Sequence, residues 1–366
     1  MSIIISAPDA FRQSVEAASG GVNTVLYDDR GYPSIMTVVP RFNIEDIDPA
    51  LGSGVHPAFT IDGAQKSEIM VGKFQATIHD DRALSLPGQD PAASINFDTA
   101  DQRCADKGPG WHMMTNAEWS AVALWCWKNG FMPRGNTDYG RDYDQTYETG
   151  RRQDGGDPGD SSGAARTLTG SGPASWYHDN SPAGIADLTG NVWEWVRGLR
   201  LVGGEIQIIA DNNAAATDAD HSDTSTLWQA ILQDGSLVAP GTTDTLKWDA
   251  TGADGTGSPI LNTSVTSQSD GSNSASEMYK DLTAETGVTV PDLAKVLGLF
   301  PHAVDMTRGR FYMRNEGERL PLRGGNWSLG SAAGVFALNL YYPRSHASSS
   351  IGFRPAFAIG NPPSEV

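Results

Sequence analysis

Residues 184–196 read GIADLTGNVWEWV. Thr189, Gly190 and Asn191 are turn formers, and they feed a run in which Val192, Glu194 and Val196 face one way while Trp193 and Trp195 face the other. Counterpart segments stand near the other end of the chain. In RGGNW, residues 323–327, the paired glycines permit positive φ and close backbone approach before Trp327 enters a core. Arg323 there, and Arg354 in IGFRPAF at 351–357, each sit beside turn glycines, where a guanidinium can hydrogen-bond loop carbonyls.

Working outward, EIMVGKFQATI at 68–78 alternates β-formers and predicts a strand. Asp98 can cap a helix that runs through Lys107 and ends at Gly108. Thr115 and Glu118 have capping-box spacing, opening a second helix that runs through VALWCW to Asn129 and Gly130. Trp119, Val122, Ala123 and Cys126 recur at i, i+3, i+4 and i+7, which predicts a buried face and makes Cys126 a core thiol rather than a nucleophile. Residues 1–62 mix a helical pattern, Ala10 to Ala18, with strand-like runs Thr24 to Tyr27 and Ser34 to Val39. They form either an attachment arm or the opening strands of the main domain. Residues 134–182 read as long polar loops. Residues 203–300 are rich in Thr, Ser, Asp and Gly, with one helix from Pro291 through Leu299. Lacking a hydrophobic pattern of their own, they read as an insertion decorating a core.

The totals narrow the class. With 39% hydrophobic residues and ten Trp in 366 positions, the chain can bury a substantial core. Its 41 Gly and 21 Pro favour a turn-rich, irregular fold. The formal charge of −18 argues against nucleic-acid or anionic-membrane binding, both of which need a cationic face. Cys104 and Cys126, the only cysteines, make no disulfide framework and point to folding in a reducing compartment. The N-terminus lacks the basic flank and apolar run of a signal peptide, and no segment is apolar for long enough to cross a bilayer. The expectation is synthesis in the cytoplasm, with no membrane insertion.

Three stretches together, HMMTNAEWSAVALW, GIADLTGNVWEWV and RGGNW…IGFRPAF, resemble the C-type lectin fold in its formylglycine-generating-enzyme, or sulfatase-modifying, subfamily. The resemblance implies an α+β, turn-rich fold with long loops. It places a C-type lectin-type domain at 63–202 and 301–358, the N-terminal arm or opening part at 1–62, and a large polar insertion at 203–300. The catalytic uses of that fold fare poorly. The oxidases need a cysteine pair in the segment that here reads WSLGSAAGVFALNLYY, which holds none. The related ergothioneine-pathway enzymes need an iron-binding histidine trio, and the seven histidines include no i, i+4 pair. Sugar-binding lectins of this fold use EPN or QPD with WND around calcium, and none of these tripeptides occurs.

Residues 323–358 resemble instead the variable region of proteins diversified by diversity-generating retroelements. There an error-prone reverse transcriptase mutates template adenines, chiefly in AAY codons. Randomising the first two bases of AAY cannot yield Lys, Glu, Gln, Met or Trp, and none of these five occurs between Ser328 and Ser350. The resemblance implies exchangeable, ligand-binding positions at Ser328, Leu329, Ala332, Asn339, Tyr341, Tyr342, His346, Ser348 and Ser350, with Ala337 and Ser349 as weaker members. Alternation in VFALNLY supports part of this, with Phe336, Leu338 and Leu340 facing a core and Ala337, Asn339 and Tyr341 facing away. Each residue also has a plainer reading: edge-strand tyrosines, a solvated histidine, a flexible serine loop. Together, tyrosines beside small polar residues have the makeup of a paratope.

In the sulfatase-modifying relatives the turn matching Asp187, Gly190, Val192 and Glu194 binds calcium, so calcium is an expectation here, and no other cofactor is required. The alternative is that Asp187 caps the turn and Glu194 pairs with a framework arginine. The resemblance as a whole implies a hypervariable, non-enzymatic binding protein on a phage or prophage particle. Its partner would be a protein or glycan receptor on a host cell surface, and its oligomeric state is left open. The alternatives are a divergent sulfatase-modifying-type oxidase using Cys104 or Cys126 and a structural virion protein.

Overall fold

The computed structural model describes residues 9–358. The opening run 1–8, on which the signal-peptide expectation rests in part, lies outside them. In chain order the elements that build the site are α1 (Ala10–Ser19), β1 (Asn23–Tyr27), β2 (Pro33–Pro40), β3 (Glu68–Gly72), α2 (Phe97–Ala105), β4 (Trp111–Met113) and α3 (Asn116–Lys128). They continue with β5 (Trp193–Trp195), β6 (Leu199–Val202), β7 (Glu205–Ile209), β8 (Trp228–Ile231), β9 (Lys247–Ala250), β10 (Pro259–Asn262) and β11 (Ala275–Met278). The last are β12 (Arg310–Met313), β13 (Leu322–Gly324), β14 (Gly334–Leu340), β15 (Ile351–Phe353) and β16 (Pro355–Phe357).

The N-terminal strands open the main domain: β1 pairs with β2, β2 with β3, and β3 with the C-terminal β16, which also pairs with β4. The predicted strand at 68–78 breaks after Gly72 and resumes at Thr77–His79. The helix before Lys107 is capped by Asn96 rather than by Asp98, because the Asn96 Oδ1 accepts the Thr99 N–H at 2.9 Å. The capping box at Thr115 and Glu118 is formed in both directions. The predicted face of α3 is buried, and so is every residue from Asn116 to Leu124, since the helix lies inside the domain rather than on its surface.

A six-stranded sheet in the order β11-β12-β14-β13-β5-β15 forms the centre, with β12 parallel to β14 and β15 parallel to β5. One face of it, through Phe311, Met313, Phe336, Leu338 and Leu340, packs with Trp119 and Leu124 of α3. The same core takes Ile206, Ile208, Ile231, Leu246, Trp248 and Leu261 from a second sheet built on β6 to β10. The segment 203–300 is therefore not an external decoration. Its apolar residues come in short runs such as Ile208–Ile209 and Ala230–Ile231 on short strands, and only pairing brings them to one core. The helix near Pro291 is shorter than predicted, Asp292–Val296. Residues 134–182 hold no helix or strand longer than the single turn Ala174–Trp176.

The two quoted segments meet as partners. Leu322 and Arg323 pair with Trp195 and Glu194. The Gly190 N–H bonds the Gly324 carbonyl at 3.0 Å and the Trp327 N–H bonds the Asn191 carbonyl at 3.1 Å. Gly324 has φ +87° and lies so close to the Leu188 carbonyl that a Cβ would stand 2.8 Å from it, so only glycine fits. Both framework arginines bond loop carbonyls as expected. Arg323 donates to Leu297 and Gly298 carbonyls and to Asn116 Oδ1, and Arg354 donates to the Gly72 and Ala186 carbonyls.

Candidate ligand-binding face

The opposite face of the central sheet is covered over only half its width. On β13, β5 and β15, Leu322, Trp193, Trp195, Ile351 and Phe353 pack under Phe97, Ala100 and Cys104 of α2. The Phe97 and Trp195 rings meet edge-on at 5.9 Å. On the other half β14 is buried along its whole length, and β12 is the strand that keeps half-buried side chains facing outward. There Arg310, Tyr312 and Arg314 alternate outward and are half-buried, and Tyr312 stands directly beside Asn339 in the parallel register. Leu329, Tyr312 and Tyr342 rim the covered half by packing against its apolar cluster, which includes Ala337.

This geometry sorts the eleven exchangeable positions expected from sequence. Ser328 and Ser349 are exposed, and Leu329, Ala332, Tyr341, Tyr342, His346, Ser348 and Ser350 are half-buried. Ala337 and Asn339 are different: they are 0% and 7% exposed. The strand alternation is real, but the outward side of β14 is not free. Ala337 is part of the apolar cluster beneath the rim, and Asn339 folds onto its own strand, its Oδ1 accepting the Tyr341 N–H at 2.9 Å. Both form the floor of the face rather than its reach.

The loop after β14 is fixed through its backbone while its side chains point out. The Tyr342, Ser348 and Ser350 carbonyls accept from the Leu320, Ser94 and Trp193 N–H groups at 3.0, 2.8 and 2.9 Å. Arg344, not among the exchangeable positions, anchors it by bonding Asp98 at 2.6 Å and both Glu318 oxygens at 3.1 Å. On this support Tyr341 and Tyr342 meet edge-on at 4.7 Å, and the His346 ring stacks on Tyr342 at 3.8 Å. Burial lowers the His346 pKa below the ordinary histidine value, so the stacked ring is neutral at pH 7. Burial likewise raises the Tyr342 phenol.

Sequence reasoning missed Arg310, Tyr312 and Arg314. The signal was the alternation in RFYMR at 310–314, whose outward residues join the face only because β12 pairs with β14. The Arg314 guanidinium lies 4.1 Å from the Tyr341 ring centre and donates to its hydroxyl at 2.5 Å.

The residues expected to hold calcium are engaged with protein donors. The Gln75 amide donates to the Asp187 and Val192 carbonyls and to Glu194 Oε1 at 3.2, 3.1 and 3.0 Å. Glu194 is held bidentately by Arg354 at 2.9 and 2.8 Å, and Asp187 Oδ2 accepts the Gly170 N–H at 2.8 Å. The Val192 carbonyl and both Glu194 oxygens are thus turned toward neutral and cationic donors, and the framework alternative for Glu194 is the arrangement observed. Cys104 and Cys126 are wholly buried, and burial pushes both thiols up. A cavity of about 600 Å³, lined by Val39, Phe42, Ile47, Val122 and Trp125 among others, shares no residue with the face.

This is an α+β domain with an open half-sheet beside a rigid aromatic framework. Residues 41–203, somewhat less than half of the chain, match the family model of the sulfatase-modifying factor enzyme 1-like domain. Among solved structures, Treponema denticola variable protein 1 is similar at 12% identity and a TM-score of 0.33, over 92% of this chain and 99% of its own. No curated protein matches the chain.

Proposed function

We propose that the chain is a ligand-binding protein of the retroelement-diversified kind, without enzymatic activity. It presents exchangeable side chains on a phage or prophage particle to a receptor on a host cell surface. One observation carries the reading. Nine of the expected positions, all but Ala337 and Asn339, keep side-chain access to solvent at the open half-sheet and its loop, while the framework residues Trp327, Phe336, Leu338, Leu340, Ile351 and Phe353 between and beside them are buried. Variation at the fully exposed positions leaves the fold's core untouched, and only Leu329 and Tyr342 touch its edge. The residue set is that of a paratope, with Tyr341 and Tyr342 as aromatic anchors amid serines. Two buried thiols with raised pKa values make poor nucleophiles, which disfavours an oxidase.

The DNA beside the coding sequence tests the diversification. A near-copy of the segment encoding 323–358, differing mainly at adenines and next to a reverse-transcriptase gene, is expected, and its absence refutes that part. The face is tested separately: replacing Tyr341 and Tyr342 together by alanine abolishes binding to host cells, while the chain still unfolds cooperatively at a melting temperature lowered by the lost packing of Tyr342. Full binding by the double variant refutes it.

A further inference from the structure

Resting on that reading, we propose that Arg310 and Arg314 form a fixed anion clamp on the open half-sheet and that the partner is a protein segment bearing Asp or Glu side chains. The two arginines flank Tyr312 on the outward side of β12, and the exchangeable tyrosines follow the end of the neighbouring β14, with Tyr341 against Arg314. In a chain of net charge −18, neither guanidinium has a carboxylate within ion-pair distance among the described residues, whereas Arg308, Arg319 and Arg344 nearby all do.

Their own hydrogen bonds leave capacity unused. Arg314 donates from Nε to the Asn273 carbonyl at 3.1 Å, and from Nη2 to the Ser272 carbonyl at 3.0 Å and to the Tyr341 hydroxyl. Its Nη1 has no partner among the described residues. Arg310 donates only from Nη1, to Ser276 Oγ at 3.2 Å. Behind Arg314, Arg319 keeps a buried Nε with no acceptor. Burial and the neighbouring Arg314 lower its pKa, while its partner Glu316 pulls it up.

A guanidinium pairs with a carboxylate through two parallel bonds, and Arg310 keeps its Nε–Nη2 edge for that, whereas Arg314 offers a single bond from Nη1. Arginine and tyrosine together are the residue types that dominate protein–protein hot spots, which favours an acidic peptide segment over a glycan. The division of labour follows. Retroelement exchange alters Tyr341, Tyr342 and the loop, while the clamp, encoded upstream of the variable segment, stays constant and fixes the class of partner.

The test uses the full chain as bait for a displayed library of random linear peptides. Parallel selections use Arg310→Gln with Arg314→Gln, Arg314→Lys, and Tyr341→Ala with Tyr342→Ala. Peptides enriched by the unaltered chain are expected to carry Asp or Glu beside an apolar residue. Their affinity should fall at least about tenfold on the double glutamine variant, and as much when the acid is replaced by its amide. Arg314→Lys, which keeps the charge, should retain part of it. Melting temperatures of all variants separate loss of binding from loss of fold. Enriched peptides without acidic residues, or acidic peptides indifferent to the glutamine variant, overturn the clamp. Enrichment of no peptide, or a signal only on acidic glycans, overturns it as well. Peptides bound equally by the tyrosine variant place the contact elsewhere and refute the face itself.

Discussion

Replacing Asp187 by Asn should stabilise the protein at neutral pH. Asp187 is 2% exposed, and burial pushes its carboxyl from the ordinary 3.8 up to about 6, against the opposing pull of the Gly170 N–H and of Arg354. Between those two values the folded chain holds a proton that the unfolded chain has released. The group's contribution is thus fully present below pH 3.8 and is lost as pH rises through about 6. A shift of about two units corresponds to roughly 3 kcal/mol of stability lost by pH 7. Asparagine keeps an oxygen for the Gly170 N–H, tolerates the residue's left-handed φ of 60°, and carries no charge. Denaturant unfolding followed by tryptophan fluorescence, from pH 4 to pH 8, should show the variant more stable at pH 7 by up to about 3 kcal/mol, with the gain gone near pH 4. The difference between variant and parent removes the titration of every other group. A variant less stable at pH 7, and more so with calcium than with chelator, would mean that the carboxylate is ionised against a cation, and the argument against calcium would fall with it.

Two further outcomes follow from the same framework. Ala337→Tyr, at a wholly buried position, should cost about 1–3 kcal/mol in denaturant unfolding, whereas Ser328→Tyr or Ser349→Tyr should change stability by no more than about 0.5 kcal/mol. Equal tolerance at all three would return Ala337 to the exchangeable set. Arg354→Met strands Glu194 in the core and should cost about 3–5 kcal/mol, part of which Glu194→Gln in the same chain should restore. Additive losses in that double variant, measured by chemical denaturation, would mean the pair is not coupled.

What was legible in the sequence was whatever lies in one segment. The capping box of α3, the turn into β5, the glycine pair before Trp327 and the loop-bonding arginines are all specified by neighbours, and each stands where the residues put it. What was hidden depends on pairing across the chain. Trp248 and Leu261 enter the main core only because β9 and β10 dock there, and nothing within 203–300 announces it. Asp98 has the side chain of a cap, yet it lies in the helix's first turn and bonds Arg344, a residue remote in sequence. Arg310 and Arg314 belong to the face through the register of β12 on β14, and the burial of Ala337 follows from the aromatic rim above it. Strand alternation tells which residues share a side, never what lies across from that side.

The open half-sheet also explains why exchange is bounded rather than free. An exposed side chain can become any residue at small cost, and Ser349 meets that condition, while Ser328 gives up only a surface hydrogen bond to Asn326. Leu329 and Tyr342 do not, because part of each ring or chain seals the cluster over Ala337 and Trp193. Replacing Tyr342 by serine both removes an anchor and opens that cluster, and it leaves His346 without the ring it stacks on. Such a change costs stability through Tyr342 and ligand contact through both residues. The repertoire that folds well is therefore smaller at the rim than at the loop. Affinity should be concentrated at the rim, where the same half-burial that restricts exchange holds the aromatic rings rigid before a partner arrives.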